Sequence, residues 1–184
     1  MKTLVLGGAR SGKSAYAEQS LLAGAKAVVY IATGQAKDLE MQTRIAHHQQ
    51  RRPQAWQLVE EPIELGAALL QWCSPERVVL VDCLTLWLTN LLFCDAKNYP
   101  EVGVIPLPDL FLEQRAQFFA ALEQIEGELI LVSNEVGLGI VPYGAMSRCF
   151  TDEAGRLNQA VAKRAERVIF VAAGLPLILK GRLC

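Results

Sequence analysis

Short apolar runs alternate along the chain with stretches whose apolar residues recur at helical spacing. The apolar runs predict strands at Lys2–Leu6, Ala27–Ala32, Arg77–Asp82, Glu128–Ser133, Arg167–Val171 and Leu175–Leu179. The stretches with helical spacing predict helices at Lys13–Ala23, Asp38–Arg51, Ile63–Trp72, Leu84–Phe93, Leu110–Ile125 and Ala145–Ala165. Residues Asp95–Pro108 are irregular and predict a loop. This alternation predicts an α/β fold with a mostly parallel central sheet flanked by helices.

The length of the chain and its apolar pattern limit the number of domains that we expect and the location of the protein. A chain of 184 residues without a recognisable linker predicts one domain spanning residues 1–184. No apolar run approaches the ~18 residues that a membrane-spanning helix needs. The opening MKTLVLGGARSGKS is not typical of a signal peptide, because its apolar run ends after a few residues. We therefore expect a cytoplasmic protein with no membrane span.

The net charge argues against a nucleic-acid partner, and the cysteine and histidine content argues against a structural zinc site. The formal net charge is −1, whereas a nucleic-acid-binding domain usually carries a basic surface. The five cysteines form no CxxC pair, and the two histidines are adjacent, so a structural zinc site is not expected. We expect free thiols and no nucleic-acid partner.

The segment LGGARSGKS carries the first specific chemistry. It matches the phosphate-loop pattern G-x-x-x-x-G-K-S/T at Gly7, Gly12, Lys13 and Ser14, between a predicted strand and a predicted helix. In such a loop successive backbone N–H groups face one phosphate, and the helix N-terminus favours an anion. Lys13 is predicted to reach the β- and γ-phosphates and Ser14 to offer its hydroxyl to Mg²⁺. The fold class is therefore predicted to be a P-loop NTPase of the RecA-like type.

Asp82 is the candidate acid for the metal shell of that phosphate loop. It ends the apolar run RVVLVD, and a phosphate loop needs an acid on a neighbouring strand. An acid in this position also suits the N-cap of the helix predicted at Leu84–Phe93. The sequence leaves both roles open.

Both histidines of the chain, His47 and His48, lie within RIAHHQQRRP. On a helix, Arg44, Arg51 and Arg52 lie three or four residues from one or the other imidazole. Nearby cations favour the neutral imidazole, which is a nucleophile, and guanidinium groups bind phosphates. This arrangement suits nucleotidyl transfer through a phosphoramidate. The alternative is a solvated, idle pair, and spacing does not choose between the two histidines.

Several motifs together resemble the bifunctional adenosylcobinamide kinase / adenosylcobinamide-phosphate guanylyltransferase family of cobalamin biosynthesis. The resemblance extends nearly end to end. The most specific pieces are R-I-x-x-H-x-x-x-R-P within residues 44–53 and SNEVGLGIVP at residues 133–142. The others are GGARSGKS (7–14), YIAT (30–33), W-x-x-x-E-x-P (56–62), VDCLTLWLTN (81–90), GRLNQ (155–159) and VAAGLPLILK (171–180).

The resemblance implies two reactions. ATP or GTP phosphorylates adenosylcobinamide, and GTP then delivers GMP to the adenosylcobinamide phosphate, releasing pyrophosphate and leaving adenosylcobinamide-GDP. The GMP is carried on a histidine, which the R-I-x-x-H pattern places at His48, while His47 falls at an unrestricted position. The family also implies a homo-oligomer, by resemblance a trimer.

The resemblance further implies a set of site residues. Glu60 is expected to read the guanine edge, and Ser14 and Asp82 to hold Mg²⁺ through nucleotide or water; a solvated loop acid is the alternative for Glu60. Asn134 and Glu135, which follow a predicted core strand, are assigned to the corrinoid or to phosphate. The implied nucleotide-binding residues are Gly7, Gly8, Ala9, Arg10, Ser11, Gly12, Lys13, Ser14, Ala32, Thr33, Gly34, Gln49, Gln50, Arg51, Arg52, Glu60 and Asp82.

Two other functions compete with this interpretation. One is a small-molecule P-loop kinase with a single activity and idle histidines. The other is an NTP-dependent switch that acts on a macromolecular partner. Labelling of the protein by GTP discriminates them from the bifunctional enzyme, because only a guanylyl-histidine retains the nucleotide after denaturation.

Overall fold

The computed structural model describes residues 1–22, 24–35, 53–94 and 99–182. Seven strands lie in these ranges: β1 (Lys2–Gly7), β2 (Ala27–Ala32), β3 (Gln57–Glu60), β4 (Arg77–Asp82), β5 (Glu128–Asn134), β6 (Arg167–Ala172) and β7 (Leu175–Lys180). Five helices lie there as well: α1 (Lys13–Leu22), α2 (Leu65–Trp72), α3 (Leu84–Leu92), α4 (Asp109–Gln124) and α5 (Ala145–Arg164). The helix predicted at Asp38–Arg51 falls outside the described residues.

The strands form one sheet in the order β3-β2-β4-β5-β1-β6-β7. Every neighbouring pair is parallel except β6 and β7, which pair antiparallel. The parallel strands therefore end at one common edge of the sheet. This architecture confirms the predicted α/β P-loop fold with a mostly parallel central sheet flanked by helices.

The central strands are apolar on both faces because helices cover both. Alternate residues of β1 point to opposite faces, as the pleat requires: Leu4 and Leu6 pack with α2 to α5, whereas Val5 packs with Ala17 and Leu21 of α1. A buried parallel strand consequently reads as a continuous apolar run, which is why the central strands were predictable. Within the described ranges, no helix combines the length and apolar character needed to cross a bilayer.

The pattern did not predict β3. Three of its four residues are exposed, and it lies at the edge of the sheet, where only Val59 is partly buried. A short edge strand buries too little to produce an apolar run. The other described elements agree with the predicted ones to within two residues at each end, and residues 99–108 of the predicted loop contain no strand and no helix before Asp109.

Helices α2 and α4 pack closely because α2 carries a glycine where they cross. A Cβ added at Gly66 would lie 2.9 Å from the backbone of Gln117 and Phe118 in α4. Beside this contact, Trp87 of α3 stacks against Phe118 with ring centroids 4.9 Å apart. The distance between α2 and α4 thus depends on the absence of a side chain at Gly66.

We predict that Gly66→Ala lowers the free energy of unfolding by about 1–3 kcal/mol, because the added methyl group meets backbone atoms that cannot rotate away. Urea denaturation followed by tryptophan fluorescence measures the change. Gly155→Ala in α5 is the matched control: its Cβ has no neighbour within 4 Å, so the same substitution should stabilise the helix by about 0.5–1 kcal/mol. Equal urea midpoints for Gly66→Ala and the wild type would contradict the packing argument.

Candidate functional site

The carboxyl ends of the parallel strands bring most of the described candidate residues to one edge of the sheet. Gly7 at the end of β1 is in register with Asn134 at the end of β5. Ala32 at the end of β2 is in register with Asp82 on one side and with Glu60 on the other. Ligands of open α/β sheets bind at this edge. The predicted phosphate loop, acids and second-strand residues therefore lie along one edge of the sheet.

Between β1 and α1 the chain forms a tight phosphate loop. Arg10 and Gly12 adopt positive φ angles of 57° and 94°. Lys13 is 9% exposed, and its Nζ donates a hydrogen bond to the carbonyl of Gly8 at 3.3 Å, which folds the side chain back over the loop. The Lys13 ammonium group and the N-terminus of α1 therefore lie close together, an arrangement that suits the binding of a phosphate group.

The β6–β7 turn supports this loop from behind. The N–H of Gly174 donates to the carbonyl of Ser11 at 2.8 Å. A Cβ at Gly12 would lie 3.0 Å from Gly174 Cα, and one at Gly7 would lie 2.6 Å from the carbonyl oxygen of Val171. Both glycines of the motif are thus required by close backbone approach. Sequence reasoning missed the contribution of the turn, although Gly174 between two apolar runs suits the positive φ that a two-residue hairpin turn needs.

Asp82 lies farther from the phosphate loop than the sequence argument assumed. The sequence predicts Asp82 on a strand next to β1, but β5 lies between β1 and β4, so two strand spacings of about 10 Å in total separate β1 from β4. The carboxylate accepts a hydrogen bond from the hydroxyl of Tyr30 at 3.1 Å. Asp82 does not cap the following helix, whose N-cap is Cys83. Of its two predicted roles, the capping role is wrong.

The described residues fit a magnesium ion that is held mainly by nucleotide. Among them, no group of three or more histidine, cysteine, aspartate or glutamate residues is arranged to hold a metal. Mg²⁺ commonly binds through one or two protein oxygens, substrate phosphates and water. Ser14 at the start of α1 and Asp82 across the gap are oxygen donors of this kind, and the gap leaves room for phosphate and water between them.

Thr33 ties the end of β2 to the end of β4. Its side chain is fully buried; Oγ1 donates to the carbonyl of Cys83 at 2.6 Å and accepts from the N–H of Cys83 at 3.0 Å. Burial, with a further contribution from the Asp82 carboxylate, raises the pKa of the Cys83 thiol to about 11, so this cysteine is a neutral neighbour and not a nucleophile. The Thr33 side chain is therefore committed to the protein itself, whereas Ala32 and Gly34 on either side of it are partly exposed.

Asn90 of α3 is a site residue that sequence reasoning missed. Its Nδ2 donates to the carbonyl of Thr33 at 2.8 Å and to that of Pro62 at 3.1 Å. The residue is buried and holds the loops that follow β2 and β3 against each other. Its position inside a mostly apolar helix, LTLWLTNLL, was the available signal, since a buried amide needs partners.

Two consecutive glutamates at the end of β3 play different parts. The carboxylate of Glu61 accepts hydrogen bonds from the N–H groups of Ile63 and Glu64, so it stabilises the turn before α2. Glu60 is exposed at the sheet edge beside Ala32. Of the pair, Glu60 is the one whose carboxylate makes no hydrogen bond or ion pair with the described residues.

Asn134 and Glu135 are held by a buried amide of α5. Asn158 is 4% exposed; its Nδ2 donates to the carbonyl of Asn134 at 3.1 Å and to Oε2 of Glu135 at 3.3 Å, and its Oδ1 accepts from the hydroxyl of Ser133 at 2.7 Å. The N–H of Glu135 donates to the carbonyl of Gly7 at 3.1 Å. The network fixes this pair directly beside the phosphate loop.

The remaining candidates lie outside the described residues. They are the two histidines and the basic stretch around them, namely His47, His48, Gln49, Gln50, Arg51 and Arg52. Their predicted roles stay predictions.

Comparison with known proteins finds sequence matches over almost the whole chain. A family model described as "Cobinamide kinase / cobinamide phosphate guanyltransferase" matches residues 3–179. The chain is 51% identical over 181 residues to the bifunctional adenosylcobalamin biosynthesis protein CobP of Pseudomonas aeruginosa, covering 98% of both chains. It is 40% identical over 182 residues to the bifunctional adenosylcobalamin biosynthesis proteins CobU of Escherichia coli and of Salmonella typhimurium, covering 98% of this chain and 100% of each relative.

We predict that Thr33→Val lowers the free energy of unfolding by about 1–3 kcal/mol, because it leaves a buried N–H and a buried carbonyl of Cys83 without partners. Valine has nearly the same shape, so lost packing contributes little. Thr33→Ser keeps the hydroxyl and should lose less stability in the same urea titration. If the valine variant matched the wild type while the serine variant did not, the hydrogen bonds would not be the stabilising element.

Proposed function

The chain belongs to the cobinamide kinase / cobinamide phosphate guanyltransferase family, and on that premise we propose how its own residues carry both reactions. In the first reaction ATP or GTP phosphorylates the hydroxyl of adenosylcobinamide. In the second, GMP passes from GTP to adenosylcobinamide phosphate, which yields adenosylcobinamide-GDP and pyrophosphate. We propose that residues 1–184 form a single domain that performs both.

The formed phosphate loop is the observation that carries the proposal. Residues Gly7 to Ser14 form a tight loop between β1 and α1, and the Lys13 side chain folds back over it. Phosphoryl transfer needs little covalent chemistry from the protein, so positioning and charge stabilisation supply most of the rate. In the proposal the backbone N–H groups and Lys13 hold the β- and γ-phosphates and stabilise the charge that develops on transfer.

Ser14 and Asp82 are proposed to hold Mg²⁺ through the nucleotide or through water. A bound Mg²⁺ supplies a Lewis acid that neutralises charge on the phosphate oxygens. Asp82 keeps its orientation through the hydrogen bond from Tyr30. The gap of two strand spacings between β1 and β4 suits an acid that acts through water rather than by touching phosphate.

For the second reaction we propose His48 as the nucleophile. Its neutral ring nitrogen attacks the α-phosphorus of GTP, the bond to the bridging oxygen breaks, and pyrophosphate leaves. An oxygen of the cobinamide phosphate then attacks the same phosphorus and displaces the histidine. The nearby guanidinium groups of Arg51 and Arg52, with Gln49 and Gln50, are proposed to bind the nucleotide.

Recognition of the guanine base is assigned to Glu60. A carboxylate accepts hydrogen bonds from the N1–H and the exocyclic amino group of guanine, a pair of donors that adenine does not offer together. Glu60 is exposed at the same edge as Ala32, Thr33 and Gly34, which are proposed to contact the nucleotide. The proposal further includes a homo-oligomer, by resemblance a trimer, and no nucleic-acid partner, in line with the formal net charge of −1.

The guanylyl-histidine predicts a specific labelling pattern. Incubation with Mg²⁺ and GTP labelled at the α-phosphate, followed by denaturation, should leave label on the wild type and on His47→Ala but not on His48→Ala. The label should survive alkali and be lost in acid, as a phosphoramidate is. Label that persists on His48→Ala would move the nucleophile elsewhere, and an unlabelled wild type that binds GTP would leave a kinase with one activity.

The assignment of Asp82 predicts a change in metal dependence. Asp82→Asn keeps an acceptor for Tyr30 but removes the charge, so the Mg²⁺ concentration for half-maximal phosphorylation should rise about 10–100-fold. A titration with Mg²⁺ at saturating nucleotide measures this. Tyr30→Phe retains the charge of Asp82 and removes the hydrogen bond to it, so its shift should be smaller. An Asp82→Asn enzyme with the wild-type Mg²⁺ profile would refute the assignment.

A further inference from the structure

The two proposed reactions place different demands on the protein because their acceptors differ. The acceptor of the first reaction is an alcohol, which must lose a proton as its oxygen attacks phosphorus. The acceptor of the second is a phosphate monoester, which is already largely ionised at neutral pH. A general base is therefore needed for phosphorylation and not for guanylyl transfer.

Besides Glu61, whose carboxylate is committed to the turn before α2, three described acids lie at the carboxyl edge of the parallel strands: Glu60, Asp82 and Glu135. Glu60 is on β3, which three strands separate from β1. Asp82 accepts a hydrogen bond from Tyr30 and is on β4, which one strand separates from β1. Glu135 follows β5, the direct neighbour of β1. It is the acid closest along the sheet edge to the phosphate loop.

The backbone of Glu135 is fixed to the start of that loop. Its N–H donates to the carbonyl of Gly7 at 3.1 Å, and the preceding residue, Asn134, is in register with Gly7. The backbone of the acid therefore cannot shift without moving the phosphate loop. Rigid placement of this kind is what a proton-transfer group requires, because efficiency depends on a short, aligned contact.

The side chain of Glu135 is oriented by Asn158. The Asn158 amide must present Nδ2 to two acceptors, the Asn134 carbonyl and Glu135 Oε2, and the Ser133 hydroxyl binds its Oδ1. This bond occupies one carboxylate oxygen, and the other, Oε1, accepts no hydrogen bond from the described residues. One oxygen is thus used for orientation, and the second remains an acceptor.

Two further observations indicate that a polar ligand meets this network. Asn134 Oδ1 is buried and has no hydrogen-bond partner among the described residues, so the site keeps an acceptor for a ligand's N–H or O–H group. Glu135 itself is partly exposed, and residues 136–141 that follow it are all exposed in the single chain. A bulky acceptor therefore has an open approach to the carboxylate.

We propose that Glu135 is the general base of the phosphorylation reaction and that Asn158 is the residue that positions it; this rests on the proposed function. Glu135 Oε1 takes the proton of the substrate hydroxyl while the alcohol oxygen bonds to the γ-phosphorus. The bond from that phosphorus to the β–γ bridging oxygen breaks, and the nucleoside diphosphate leaves. Glutamic acid then returns the proton to water.

The test compares the two reactions in the same variant. Glu135→Gln keeps the shape and an acceptor for Asn158 but cannot take the proton. Its rate of cobinamide phosphorylation should fall about 10²–10⁴-fold. Guanylyl transfer, which needs no general base, is measured separately by supplying cobinamide phosphate and GTP. The ratio of the phosphorylation rate to the guanylyl-transfer rate should therefore fall by at least about 100-fold. Asp152→Asn, which removes an exposed charge from the same helix as Asn158, is the control and should leave the ratio unchanged.

Asn158→Asp is the second variant and tests the positioning role. It replaces the donor amide by a carboxylate that repels Glu135, so kcat for phosphorylation should fall while KM for the nucleotide stays close to the wild-type value. A purely structural role would change both reactions together. This variant decides the matter if thermal melting shows that Glu135→Gln does not fold.

The outcomes separate the two proposals. A wild type that does not phosphorylate cobinamide contradicts the proposed function itself. A wild type active in both reactions, with a folded Glu135→Gln variant whose rate ratio is within tenfold of it, overturns the assignment of the base. An equal loss of both reactions in folded Glu135→Gln also overturns it, because Glu135 would then serve binding rather than proton transfer.

Discussion

The phosphate loop exists because two glycines leave no side chain where the chain reverses between β1 and α1. A Cβ at Gly7 would come within 2.6 Å of the Val171 carbonyl oxygen, and one at Gly12 within 3.0 Å of Gly174 Cα. The loop is therefore pressed against the end of β6 and the β6–β7 turn. That contact holds the loop from behind, and we propose that a phosphate group binds at the opposite side, to the loop N–H groups and Lys13.

Three buried polar side chains, two on helices and one in the loop after β2, hold the rest of the sheet edge in place. Thr33 joins the ends of β2 and β4, Asn90 joins the loops after β2 and β3, and Asn158 holds the residues after β5. Each is fully or almost fully buried. Buried polar groups that are satisfied in this way define one arrangement of a loop, since any other leaves them unpaired. The edge is thus preorganised before nucleotide binds.

The sequence predicted the elements that bury apolar surface and missed those that do not. The central strands and α1 to α5 were predictable because their apolar residues follow the pleat or the helical turn. Strand β3 was not, because it is short and largely exposed at the edge. The family resemblance, confirmed by the match over residues 3–179, rested on motifs rather than on periodicity.

The candidate site was predictable only in its chemistry. The phosphate motif and Asp82 could be recognised from their residues, but the strand between β1 and β4, and hence the width of the gap, could not. Strand order is set by long-range packing, which local pattern does not record. Asn90 and Asn158 were missed for the same reason, since their partners lie at least 23 residues away along the chain.

The central claim is that one chain attaches two phosphorus atoms to cobinamide. The first comes from the γ-position of ATP or GTP, and the second comes from the α-position of GTP. The most direct measurement supplies the purified protein with cobinamide, Mg²⁺, ATP and GTP in two parallel incubations. Both nucleotides carry label at the γ-phosphate in the first, and GTP carries label at the α-phosphate in the second. The account predicts that the isolated product contains one label per molecule in each incubation. A product labelled only from the γ-position would show a kinase alone and would contradict the account.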